Sequence, residues 1–302
     1  MTNSLPLADL HRHLDGSLRP STLHELAQRK GLAVPQDLPF QAAVGLDAAL
    51  ARFAFMLSLL QCPTELRRIA SEMCEDARDE NVTTLEIRFA PQLHRAASMS
   101  DIVDAALEGV AGRAGLILCG LYGEPPSVLE QLVDIAATRK GVVGIDLAGG
   151  PLPTHSFGLN DYAPAYRRAK EHGIGRTVHA GEGRPASEIR SAIEVLHAQR
   201  IGHGTTLLDD PAVTDLVIER GVVIEACPTS NVHTGVVASV ETHPLVKWLD
   251  RGVRVCVNAD NTFLSGVNVR NEYERVARIP GMDEAKLRTL VETGHAAAFR
   301  RT

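Results

Sequence analysis

Two histidines one residue apart, His11 and His13, are the first groups in this chain whose spacing could do chemistry. On an extended segment side chains alternate with period two, so both imidazoles point to the same side. Further polar groups stand where later apolar runs end: His179 with Glu182 three residues on, His203, and Asp260 followed by Asn261. An HxH pair by itself is common on surfaces and in structural roles. Joined by His179 and Asp260 at two other strand ends, it becomes three imidazoles and a carboxylate. That donor set suits zinc, which takes nitrogen and oxygen ligands and, in catalytic sites, keeps a position open for water. Four non-bridging ligands predict one Zn2+ per chain.

Donors so far apart in sequence must be assembled by the fold. Short apolar runs at Leu7–His13, Thr83–Ala90, Gly115–Leu121, Val142–Leu147, Gly175–His179, Arg200–Gly202, Val222–Cys227 and Val253–Asn258 read as strands. Helical patterns such as Thr64–Asp79, Ser127–Arg139, Tyr162–His172, Ser187–Leu196 and Pro211–Arg220 separate them. Strand and helix in alternation imply a parallel sheet, and eight units fit a closed (β/α)8 TIM barrel better than an open doubly wound sheet, which spacing alone leaves possible. Closure would set the first strand beside the eighth, with the fifth across the barrel, so that their carboxyl ends share one mouth. The stretch between the first two strands is far longer than the other connections and predicts extra helices covering that mouth. No internal repeat, low-complexity tract or linker divides residues 1–302, which reads as a single domain.

Composition narrows the partners. The chain has 302 residues, 44% of them hydrophobic and 23% charged, with a formal net charge of -6. An acidic balance speaks against a nucleic acid polymer, whose binding needs a basic face. The amino terminus lacks the basic and apolar regions of a secretory signal, and no apolar run is long enough to span a bilayer. A cytoplasmic location with no membrane partner is expected, and the oligomeric state is left open. The five cysteines are odd in number, scattered, and without a CxxC pair, so they read as reduced packing residues.

In order along the chain, HRHLDGSLRP, EIRFAPQLH, GIDLAGG, TVHAGE, RIGHG, CPTSN and VNADN resemble the adenosine deaminase family of the metal-dependent amidohydrolases. The resemblance runs from Ala8 to Phe299. It implies a (β/α)8 barrel, one zinc, and hydrolytic loss of ammonia from C6 of an adenine ring. It makes His11, His13, His179 and Asp260 the ligands, and Glu182 the donor of a proton to ring N1. His203 would orient and support the attacking hydroxide, Gly149 would meet N3 through its backbone, and Asp15 would bind the ribose end. These roles are chemically coherent. Zinc can bring the pKa of a bound water to about 7, and a positioned carboxyl can protonate the ring that receives the nucleophile. Plainer readings exist for four residues: Glu182 as an ordinary loop carboxylate, Asp15 as a cap for the following helix, Gly149 as a turn glycine, and His203 as a buried structural histidine.

Two departures from the family pattern bear on substrate. Many members carry two consecutive aspartates where this chain has Asp260 and Asn261, the second facing N7. An asparagine amide can donate there without needing a proton. Leu46, Ala49, Leu50 and Phe53 fall at helical spacing, a stripe that is more often simple packing, and resemble the family's apolar gate over the sugar, with Ala49 where many members carry an aromatic. A roomier pocket keeps 5′-modified adenine nucleosides such as aminodeoxyfutalosine in view beside adenosine and 2′-deoxyadenosine. Free adenine fits less well, since adenine deaminases tend to read HIEG in place of His13-Leu14-Asp15-Gly16. The HxE and PCxxC signature of cytidine-type deaminases is absent. A binuclear amide or ester hydrolase would usually show a bridging lysine where Asp146-Leu147-Ala148-Gly149 stands. A non-catalytic nucleoside-binding relative would be expected to lack a ligand. The other histidines, His243 among them, have no ligand-like spacing, and Arg88 is expected in a structural charge network.

Overall fold

The eight apolar runs form eight parallel strands in a computed structural model that describes residues 5–300. They are β1 (Leu7–His13), β2 (Val82–Phe89), β3 (Gly115–Leu121), β4 (Val142–Ala148), β5 (Gly175–Ala180), β6 (Arg200–His203), β7 (Val223–Ala226) and β8 (Arg254–Val257). Each pairs with the next in sequence order. The ends meet where Arg12 bridges Asp260: the His13 amide donates to Asp260 O at 2.7 Å and the Asp260 amide to His11 O at 2.9 Å. Closure therefore draws three predicted site residues onto one seam.

Most strands are buried along nearly their whole length, as a barrel clothed in helices requires. The helices earn their places by pattern. The one over Pro63–Asp79 buries Leu66, Ile69, Ala70, Met73, Cys74 and Ala77, a stripe at three- and four-residue spacing. Proline opens it, and the Glu65 carboxylate turns back to accept from the Cys62 amide at 2.9 Å. The long first connection holds two more helices, Pro20–Arg29 and Leu46–Leu59, the second of which reaches over the barrel mouth. No helix among the described residues is long and apolar enough to cross a membrane.

Below the mouth the interior is charged rather than oily. Arg88 donates to Asp146 and Glu225, each at 2.8 Å, and to the Leu10 carbonyl at 2.6 Å, all fully buried. Arg200 pairs with Glu86 and Glu225, and Arg12 with Asp9 and Glu80. Buried ions of this kind persist only when paired, and this lattice positions histidines as well as one another. Gly202 shows how tightly the middle is filled: a Cβ there would stand 2.9 Å from Cε1 of His11.

Candidate metal and substrate site

His11 and His13 leave β1 on the same side, with ring centroids 5.2 Å apart. Nδ1 of His11 lies 2.7 Å from Glu225 Oε2, so it carries the proton, and Nε2 keeps a buried lone pair with no hydrogen-bond partner among the described residues. His179 on β5 is held the same way, its Nδ1 3.2 Å from Asp146 Oδ1 and 3.0 Å from Oδ2. Its Nε2 approaches His13 Nε2 to 3.3 Å. Asp260 Oδ1 completes the group, 3.5 Å from His13 Nε2 and 3.8 Å from His11 Nε2.

Four donors from three strand ends thus converge, and the cluster fits a metal. Zinc ligands at 2.0–2.1 Å in a tetrahedron stand about 3.3 Å from one another, against 3.3 Å for His13–His179, 3.5 Å for His13–Asp260 and 3.8 Å for His11–Asp260. The lone pair of His11 has no use without a cation, and carboxylate-backed imidazoles are the usual outer support of such ligands. Burial pushes the His11 and His13 imidazoles well below their ordinary range, which keeps them neutral, as ligands must be. Burial would raise the Asp146 carboxyl, but His179 and Arg88 outweigh it and hold the group far below the usual carboxylate range.

Around the donors stand the other predicted residues. His203 and Asp260 adopt left-handed backbone, φ 68° and 61°, which non-glycine residues rarely do and which costs roughly 1–3 kcal/mol each. Glu182 sits behind His203, its Oε1 3.7 Å from Nδ1, and accepts from Thr234 Oγ1 at 3.2 Å. Burial raises its carboxyl above the ordinary range, the direction that favours a held proton. Asn261 donates to Asp260 Oδ1 at 2.7 Å, while its own Oδ1 has no partner among the described residues. A small cavity of about 60 Å3 joins these groups to Phe40, Ala49, Phe53, Gly149 and Ser230.

A second, larger space of about 390 Å3 opens from the first, sharing His13, Phe53 and Gly149. Asp15 lies on its wall, buried, with no hydrogen-bond partner for Oδ1 among the described residues. It caps no helix: the following helix begins at Pro20, with Arg19 as its N-cap. Gly149, at φ 77°, follows β4 directly and faces both spaces. The rest of the wall is mostly apolar, including Leu57, Leu93, Leu121 and Leu152, with no lysine or arginine among the described residues. Of the four gate residues, Ala49 and Phe53 line the cavity; the side chains of Leu46 and Leu50 lie outside the described residues.

Several members of the site have roles that the motifs do not disclose. Phe40 sits in a loop with no pattern, and its ring packs 6.2 Å from that of Phe53. Glu225 is a lone carboxylate inside an apolar strand, which was the available signal. Asn231, within CPTSN, lies 3.0 Å from His203 Nδ1.

A family model described as adenosine deaminase matches residues 6–301. An adenosine deaminase from Clostridium acetobutylicum is 34% identical over 98% of this chain and 93% of its own. Among solved structures, an adenine deaminase from Arthrobacter aurescens superposes with a TM-score of 0.89 at 27% identity, covering 98% of this chain and 94% of that one. An amidohydrolase from Burkholderia ambifaria with bound zinc gives 0.88 at 26%, covering 99% and 87%.

Proposed function

The chain belongs to the adenosine deaminase family, and from that premise we propose that this hydrolytic aminohydrolase removes ammonia from C6 of an adenine nucleoside. Its closest supporting observation is the pairing of a converging donor cluster with a buried carboxyl, Glu182, whose pKa burial raises, beside a pocket on whose wall Asp15 Oδ1 has no hydrogen-bond partner among the described residues.

His11, His13, His179 and Asp260 are proposed to hold one zinc. When bound, the metal supplies Lewis acidity and makes water a usable nucleophile near neutral pH. The chain's own residues do the rest. Glu182 delivers a proton to ring N1, which withdraws electrons from C6 and stabilises the charge that arrives with the nucleophile. His203 orients the water and supports its developing charge. The Gly149 amide donates to N3 and Asn261 meets N7, so the ring is read at three edges. Phe40, Ala49 and Phe53 cover the base and exclude solvent, with Leu46 and Leu50 on the same covering helix.

Asp15 carries the nucleoside reading. Burial pushes the Asp15 carboxyl up to about 7, and a sugar hydroxyl donating to its open Oδ1 would relieve that cost and favour the ionised form. The absence of lysine and arginine from the larger space disfavours a 5′-phosphate. Its volume and apolar wall favour a second reading on the same machinery, a nucleoside bearing an apolar 5′ substituent. Ammonia release from adenine, adenosine, 2′-deoxyadenosine, AMP, methylthioadenosine and aminodeoxyfutalosine decides among them, with metal content measured alongside. Nucleosides should react, with about one zinc per chain. Inertness towards all six, with metal bound, would remove the deaminase reading.

A further inference from the structure

Asn231 and His243 are fully or nearly fully buried, and neither lines the cavity, yet both connect to His203. Their hydrogen bonds form a directed chain. It starts at the Leu245 amide, which opens the helix Leu245–Asp250 and donates to His243 Nδ1 at 3.2 Å. The first amides of a helix have no partner within it, so this donor has a fixed sense. His243 is neutral, burial having pushed it down to about 3. With Nδ1 accepting, its single ring proton must sit on Nε2, which faces Asn231 Oδ1 at 3.3 Å. The Asn231 amide nitrogen then faces His203 Nδ1 at 3.0 Å and Glu182 Oε1 at 3.5 Å, both acceptors.

The chain admits only one sense. If the Asn231 amide were turned over, its nitrogen would meet the His243 N–H donor and its oxygen would meet Glu182 Oε1, which already accepts from Thr234. Both ends therefore fix the same orientation. With Nδ1 accepting from Asn231, neutral His203 holds its proton on Nε2, the nitrogen left for the cavity.

We propose that Leu245, His243 and Asn231 form a relay that fixes His203 as its Nε2–H tautomer, making it a hydrogen-bond donor at the reacting centre and excluding it from the metal's ligands. The inference deepens the function proposed above and rests on it only for what the donor points at. It resolves an ambiguity in the donor cluster. Ligand atoms of His11, His203 and Asp260 lie within 4.8 Å of one another, as do those of His11, His13 and His179, so distance alone makes His203 a candidate ligand. Its Nε2 carries a proton and its Nδ1 lone pair is engaged, so it has nothing to give a cation. His11 and His179 are set in the opposite way, with Nδ1 protonated towards Glu225 and Asp146. Asn231 and His243 are accordingly positioning residues, and His243 has a role that its sequence spacing did not disclose.

The test reads the proton directly. In metal-free protein labelled with 15N-histidine, two-bond 15N–1H correlation should show the His203 proton on Nε2. Adding zinc should perturb Nε2 of His11, His13 and His179 and leave the His203 N–H in place. Asn231→Asp offers only acceptors, so the His203 proton should move to Nδ1, with kcat down about 10–100-fold and KM little changed. His243→Ala should mix the tautomers and lower kcat in the same way; His243→Gln, whose amide can donate to Asn231, should restore both. A wild-type His203 proton on Nδ1, its loss on adding zinc, or an unaltered tautomer in folded Asn231→Asp would overturn the relay. If Asn231→Asp does not fold, the wild-type and His243 spectra decide. An enzyme inert to every nucleoside but carrying the Nε2 proton would overturn the proposed function and leave the relay standing.

Discussion

Oε2 of Glu225 accepts from His11 Nδ1 at 2.7 Å and from Arg88 at 2.8 Å, with none of the three side chains exposed to solvent. Arg88 extends its other amino group to Asp146, which backs His179. One guanidinium thus clamps two carboxylates, and each carboxylate turns one imidazole so that Nε2 faces the centre. The charge network expected around Arg88 is therefore the frame of the donor cluster.

Glu225→Gln should weaken zinc binding by about 10–100-fold, since the carboxylate orients His11 and raises its basicity. Competition with a chelator measures this. The substitution also leaves Arg88 and Arg200 short of a counter-charge, so a lower melting temperature is expected with it. Unaltered zinc affinity in folded protein would detach Glu225 from the metal site.

Glu182→Gln should keep zinc and lose turnover by roughly 10²-fold or more, because an amide cannot deliver the N1 proton. The neighbours Thr234 and Asn231 can still bond the amide, so the fold should hold. Near-normal kcat at full metal content would assign the proton to another group.

What the sequence disclosed follows from where the information lies. β1 and β3 are legible to the residue, because period, apolar content and flanking turns are all local. His11, His13, His179 and Asp260 are legible because strand ends mark one face of a barrel. Glu225 is not: its meaning is its partner His11, 214 positions away. His243 is opaque for a like reason, since it acts through Asn231 on a residue outside its own element. Phe40 lies in a loop, where no periodicity announces that a side chain faces inward.

Gly16→Ala should disturb both stability and substrate reading. An ideal Cβ there would stand 1.9 Å from Asn261 Oδ1 and 2.9 Å from its Cβ. Asn261 is buried and tied to Asp260, so it cannot move freely. Overpacking of this kind costs roughly 1–3 kcal/mol, and kcat/KM should fall as Asn261 is displaced. A melting temperature and kcat/KM both at wild-type values would show that the loop relaxes without cost.

Glu272 gives a pH dependence with a definite sign. Burial raises its carboxyl from the usual 4.5 to about 7, although it accepts from the Thr229 amide at 2.6 Å. The folded state therefore binds this proton more tightly than the unfolded state. Its favourable contribution is complete below about pH 4.5 and is lost as pH rises towards 7, a change on the order of 3 kcal/mol. Glu272→Gln should flatten the stability profile between those values in denaturant titrations. An equal slope in both proteins would place the titration elsewhere.

Asp15 tests how much of the substrate is read. Its Oδ1 is buried and unpartnered on the wall of the larger space, two residues beyond His13. If a sugar hydroxyl donates to it, adenosine should be preferred to adenine, which leaves the carboxylate desolvated at a cost of roughly 1–3 kcal/mol. AMP should also be poor, because its phosphate would face the Asp15 carboxyl, pushed up by burial to about 7 and driven further into its protonated form by a second anion, with no lysine or arginine among the described residues along that wall. Asp15→Ala removes both discriminations at once. It should lower kcat/KM for adenosine while narrowing the advantage over adenine and AMP, and it should leave zinc content unchanged. Measuring the three substrates on both proteins separates this role from a purely structural one, which would lower all three rates in proportion. A wild-type preference for adenine, or ratios unmoved by the substitution, would take the sugar away from Asp15 and the nucleoside away from the pocket.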